Sequence, residues 1–162
     1  MSDLHIDDFY KDVAMIFLRL YNSFPRKTIL YVEDICGADQ PDEFGLHSER
    51  FLSAFSAMVW LGDHDYLKYI SPIKQEALDQ VTLSERGFLL LSSRSELDFG
   101  DPFQGEPYDA ANHPRGESLP PSVMEQSKTN ISQLRKAISH GSSIMVSQCV
   151  QYMLSNRITL QR

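Results

Sequence analysis

The chain has 162 residues, with 22 acidic against 15 basic side chains, a net charge of -7, and 42% hydrophobic content. This composition excludes wholesale disorder, and the length admits one domain with a real core, or a small domain with an appended helical unit. No run approaches the roughly 18 apolar residues of a membrane span, and the acidic start MSDLHIDDFY lacks the pattern of a signal peptide, so a soluble, cytoplasmic protein without membrane association is expected.

Over residues 7–22, Phe9, Val13, Ile16 and Leu20 repeat at helical spacing, with Tyr10, Phe17 and Tyr21 on a second line beside them. Asp7 or Asp8 supplies the N-cap, and Pro25 stops the helix soon after Asn22. So much apolar surface exceeds the needs of one small core. It implies a first helix that is buried on all sides or one whose second side meets another subunit. Residues 27–31 are β-rich and short, and 32–36 form a helix of little more than one turn, ended by Gly37. Residues 38–45 are acidic and turn-rich, longer than the three or four residues that join the helices of a compact helix-turn-helix.

Ser48 is the expected N-cap of a helix over residues 49–61. Phe51, Leu52, Phe55, Met58 and Val59 fall on its inward side, leaving Glu49, Ser53, Ser56 and Trp60 as an outward stripe flanked by Arg50. Trp60 fits a core or rim aromatic, or else an anchor for a partner. Gly62-Asp63-His64-Asp65 reads as a turn; consecutive side chains in a turn seldom converge on one ion, so no metal is expected. An extended segment over 66–70, a loop over 71–79, a strand closed by Val81-Thr82-Leu83 and a short helix opened by Ser84-Glu85-Arg86-Gly87 complete this stretch.

The segments WLGDHDYLKYI and VTLSERGFLLL resemble the winged helix-turn-helix superfamily. There the recognition helix ends in a turn like L-x-x-x-G-Y-I, and the second wing strand in a segment like L-T-x-K-G. The resemblance covers residues 1–95 and implies a mainly α fold with a small β-hairpin. It also implies one of two roles: binding double-stranded DNA as a regulator, or docking a protein partner as a non-enzymatic interaction module. Carried onto this chain, the contacts of a DNA reader fall at Arg50, Ser53, Ser56, Lys68 and Lys74. The chain departs from the pattern in its acidic loop before the helix and in Ser84, where a threonine-and-lysine pairing is more usual. Charge departs too. Residues 1–100 hold 17 acids and 9 bases, a net of -8, while residues 101–162 hold 5 acids and 6 bases, a net of +1. The half that would meet phosphate is the acidic half, and Lys74 is matched by Glu76 and Asp79.

Residues 96–121 form a Pro- and Gly-rich linker or strap, with Phe99, Phe103 and Tyr108 as anchors. Ser122-Val123-Met124-Glu125 is a capping box that opens a helix with a seam of Met124, Ile131, Leu134 and Ile138, closed by Gly141. A second helix over 143–156 carries Val146, Cys149, Val150 and Met153. This C-terminal helical hairpin over 122–162 cannot bury both faces alone, and packs either on the first domain or on a twin. By analogy with winged-helix regulators that dimerise through terminal helices, the twin is taken, a homodimer with contacts at Ile131, Leu134, Ile138, Val146, Val150 and Met153.

Cys36 and Cys149 belong to no CxxC or Cys/His cluster and read as small buried hydrophobes. The histidines, at positions 5, 47, 64, 113 and 140, are scattered, and neither a nucleophile motif nor a Gly-rich phosphate loop is present, so no enzyme and no cofactor are expected. The sequence predicts a dimeric DNA-binding regulator, with the protein-interaction module as the alternative.

Overall fold

The computed structural model describes residues 3–99 and 126–155. Within them the chain is mixed α/β, six helices around a four-stranded antiparallel sheet. Helix α1 (Leu4–Ser23) is central: Val13, Ile16, Phe17 and Leu20 are fully buried, and every other described helix packs on it. It begins three residues before the expected start, so Asp7 and Asp8 lie inside the helix, near its positive end.

Strand β1 (Thr28–Tyr31) and α2 (Glu33–Cys36) follow where expected, and Gly37, at φ 92, ends α2. Helix α3 (Glu49–Asp63) starts at Ser48, whose hydroxyl accepts the Phe51 amide at 3.3 Å. It runs two residues past the expected end, because Gly62 stays helical and the left-handed break arrives at Asp65, φ 62. Its buried line passes through Phe51, Ala54, Ala57, Met58 and Leu61, so Leu52, Phe55 and Val59, expected inward, are half-buried flanks.

Strands β2 (Leu67–Lys68) and β3 (Ser71–Ile73) both pair with β4 (Ala77–Leu83), and β1 pairs with the opposite edge of β4. The expected hairpin is thus one side of a larger sheet. The expected loop over 71–79 is mostly strand, since Ser71 pairs with Asp79 and Ile73 with Ala77; only Lys74-Gln75-Glu76 turn, with Lys74 at φ 51. A short ribbon strand exposed at every position, with a proline at its centre, reads locally as loop. A bulge in β4, with Gln80 at φ 52, sets Val81 opposite Thr28 and Leu78 opposite Leu30, so Leu78 and Val81 both reach the core despite their odd spacing.

Helix α4 (Glu85–Ser92) is capped by Ser84, whose hydroxyl accepts the Gly87 amide at 3.0 Å and donates to the Asp65 carbonyl. A Cβ on Gly87 would stand 2.1 Å from the Tyr66 carbonyl oxygen, so glycine is what lets α4 lie against the end of that turn.

Helices α5 (Asn130–Ser139) and α6 (Ser143–Ser155) form the C-terminal hairpin. The capping box at 122–125 and the strap over 100–121, with Phe103 and Tyr108, lie outside the described residues. The first hairpin helix is not continuous to Gly141: a turn intervenes at 127–128, Arg94 bridges Thr129, and Thr129 caps α5 through the Ser132 amide. Phe99 is half-buried against the core, and its amide donates to the Gln133 Oε1 at 3.1 Å.

The hairpin packs on α1 and α4 of its own chain. Ile131, Leu134, Val146, Val150 and Met153 are buried there, with Ile138 partly so. The seam assigned to a twin is therefore filled within one chain; on the second apolar line of α1, Phe17 meets Tyr66 edge-on, and Tyr21 stacks on Phe88 of α4 and lies beneath the Arg135 guanidinium of α5. Among the described residues no helix is long and apolar enough to cross a membrane.

Candidate functional site

The outward side of α3 meets the first turns of α1. His5, Ile6 and Phe9 of α1 face Glu49, Leu52, Ser53, Ser56 and Trp60 of α3 across an open groove of about 640 Å³. Its floor is made of small residues, Ser53, Ser56 and Ala57, and the Ser56 hydroxyl is turned to its own helix, donating to the Leu52 carbonyl at 2.9 Å. One wall is aromatic: Phe9 meets Trp60 edge-on at 5.3 Å between ring centroids, and Trp60 stacks on His64 at 3.9 Å. Leu4, 66% exposed, and Ile6, 40% exposed, extend the apolar surface at the start of α1.

Arg50 does not face this groove with free donors. Its guanidinium makes a two-pronged bond to Asp12, at 2.7 and 2.6 Å, and its Nε lies 3.6 Å from Asp8. Asp12 is 1% exposed on the packed side of α1, where a carboxylate requires a partner. Burial pushes the Asp12 carboxyl above its usual value, with the bonds and charge of Arg50 opposing, and the hydrogen bond to Asp12 holds Arg50 above its own. The expected base-reading arginine is a clamp between α1 and α3.

Of the five expected contacts, only Ser53 and Ser56 come together in the groove. Lys68 is exposed on β2 and Lys74 at the ribbon turn, beside Glu76 in the same turn. Asp12, His5, Ile6 and Phe9 were not among the sequence candidates. For Asp12 a signal existed: it falls at helical spacing from Phe9 and Ile16, and a charge in an apolar stripe announces a buried pair. Nothing local places His5 or Ile6 opposite Ser53.

At the other end of α3, Asp39 accepts the Ser48 amide at 3.2 Å and hydroxyl at 2.9 Å, and bonds His47 Nδ1 at 2.5 Å. His47 stacks on Phe51, and its Nε2 is 3.8 Å from Glu76. Burial pushes the Asp39 carboxyl up, but these hydrogen bonds together outweigh it and hold the group below its usual value. The cluster fastens the acidic loop to the start of α3. Its chemistry is not that of a nucleophile relay, because the carboxylate sits between serine and histidine, where a relay needs the imidazole. Cys149 is buried and its thiol is pushed up to about 12, which makes it inert. Among the described residues no group of three or more His, Cys, Asp or Glu side chains is placed to hold a metal ion.

No family model, no curated protein and no solved structure matches the chain.

Proposed function

We propose that this chain is a non-enzymatic protein-interaction module on a winged-helix scaffold, with the α1/α3 groove as its docking surface. The scaffold reading is supported by the element order, α1-β1-α2-α3 followed by a ribbon of β2, β3 and β4, with β1 beside β4. The observation that carries the function is the fate of Arg50. A DNA reader presents free Arg, Lys, Asn or Gln donors on this helix, because those groups discriminate base edges. Here the arginine is tied to Asp12 and Asp8, and what remains outward is apolar, small or acidic. A net charge of -7 adds repulsion toward a phosphate backbone.

Electrophoretic retardation of random-sequence duplex at low salt tests the reading. At about 10 μM protein, where non-specific DNA binders already associate, the DNA should run free; a salt-sensitive retarded band would overturn the proposal. One observation favours the regulator as a second reading: Lys68 and Lys74 are exposed on the ribbon, where a wing meets phosphate. If a retarded band forms and Lys68→Glu with Lys74→Glu abolishes it, the regulator replaces the module.

A further inference from the structure

We propose that the partner of the α1/α3 groove is a basic amphipathic helix, its apolar stripe seated between the two helices and its Lys or Arg side chains over the acidic rim. This rests on the interaction-module reading and adds the chemistry of the partner.

Shape selects a helix. The outward stripe from Glu49 to Trp60 rises about 16 Å, three turns of α3, the span over which a docked helix presents anchors at i, i+3 or i+4, and i+7. Ser53, Ser56 and Ala57 leave room for the anchors to descend, and Phe9, Leu52 and Trp60 give them apolar walls. No strand of the sheet lines the groove, so an added β-strand would find no backbone ladder there.

Charge selects a basic one. Glu49 lines the groove with an exposed side chain. Asp63, exposed one turn beyond Trp60 on the same side of α3, extends the acidic character past the far end of the groove. Against them stands His5 in the lining itself, while Arg50 is compensated by Asp8 and Asp12. Cationic flanks on a helix would be attracted here and carboxylate flanks repelled.

Trp60 is the chain's single tryptophan and lies in the groove, so its emission reads occupancy directly. Two labelled amphipathic peptides of about 18 residues, with one Leu face and either Lys or Glu on the other, are titrated into the full chain by anisotropy and Trp60 fluorescence. The Lys peptide should bind and shift the Trp60 emission, with the Glu peptide at least about tenfold weaker. Ser56→Arg, at an exposed position in the groove floor, should weaken the Lys peptide about tenfold or more, whereas Gln151→Arg, exposed on α6, changes net charge equally and should leave it unaltered. Equal binding of both peptides, or equal loss in the two variants, overturns the inference. If neither peptide binds and duplex DNA is not retarded, the partner class falls and the module reading stands; if DNA is retarded, both fall.

Discussion

The Asp12–Arg50 clamp makes the sharpest prediction. Arg50→Ala would leave an almost wholly buried carboxylate without its guanidinium, a loss of about 3–5 kcal/mol for buried pairs. The Arg50 side chain is 36% exposed, so water can follow it into the vacated space, and the lower end, about 3 kcal/mol, is expected. Asp12→Asn keeps the volume and leaves Arg50 free to turn to Asp8, at about 1 kcal/mol. The double variant should cost about 1.5 kcal/mol, a coupling near 2.5 kcal/mol between the two sites. Urea denaturation followed by circular dichroism measures all three; by melting temperature, Arg50→Ala should fall by about 6–12 °C. The sign with pH follows from Asp12. Its folded pKa lies above its unfolded value, so the native state binds more protons, and the stability this carboxyl contributes is lost as pH rises from 3.8 toward the folded value. Without Arg50, which lowers that value, the window widens upward. Arg50→Ala should therefore cost more near pH 7 than near pH 4. A cost below about 0.5 kcal/mol, or one independent of pH, would refute the assignment of Arg50 to a buried clamp.

Gly87→Ala drives a Cβ to within 2.1 Å of the Tyr66 carbonyl oxygen and should cost about 3 kcal/mol or more in a thermal melt; a loss under about 1 kcal/mol would show that α4 can retreat. Asn130 is 2% exposed, and its Nδ2 donates to the Leu90 carbonyl at 2.8 Å, so Asn130→Ala should cost about 1–3 kcal/mol and speed hydrogen exchange in α5 and α6 more than in α3. Uniform exchange across the three helices would deny Asn130 its role in joining the hairpin to α4. The Asp39 carboxyl is held below its usual 3.8, so its contribution to stability is present above that value and lost as pH falls through the lower folded one. Asp39→Asn should flatten the acid limb of the stability curve below about pH 4, and parallel limbs in the two proteins would exclude the loop clasp as its source.

Much of this architecture was legible where the signal is local. Ser48 and Ser84 mark helix starts because a hydroxyl three residues before a free amide has one obvious use, and both make that bond. The ribbon over 71–79 was not legible, since β3, Ser71-Pro72-Ile73, is exposed at every position and so lacks an inward side to alternate with, and the bulge at Gln80 breaks the alternation that would have marked β4. The hairpin's apolar seam was visible at Ile131 and Leu134, but periodicity shows which side of a helix is apolar and not what covers it. The same limit hid the site. Asp12 and Arg50 are 38 residues apart, and only the crossing of α1 over α3 gives either side chain its meaning.

That crossing ties stability to docking. The clamp which removes Arg50 from the outward face also fixes α1 against α3, and so holds the Phe9–Trp60 wall of the groove in place. Loosening it should then weaken a groove ligand and the fold together. A base-contacting arginine behaves in the opposite way: its removal lowers DNA affinity and leaves the free protein as stable as before. Because α5 and α6 already cover the other side of α1, the helix has little freedom to swing except at its first turns, where Leu4 and Ile6 are exposed. A partner entering between α1 and α3 would thus bury apolar surface on a rigid frame, with little ordering cost beyond the opening turns of α1.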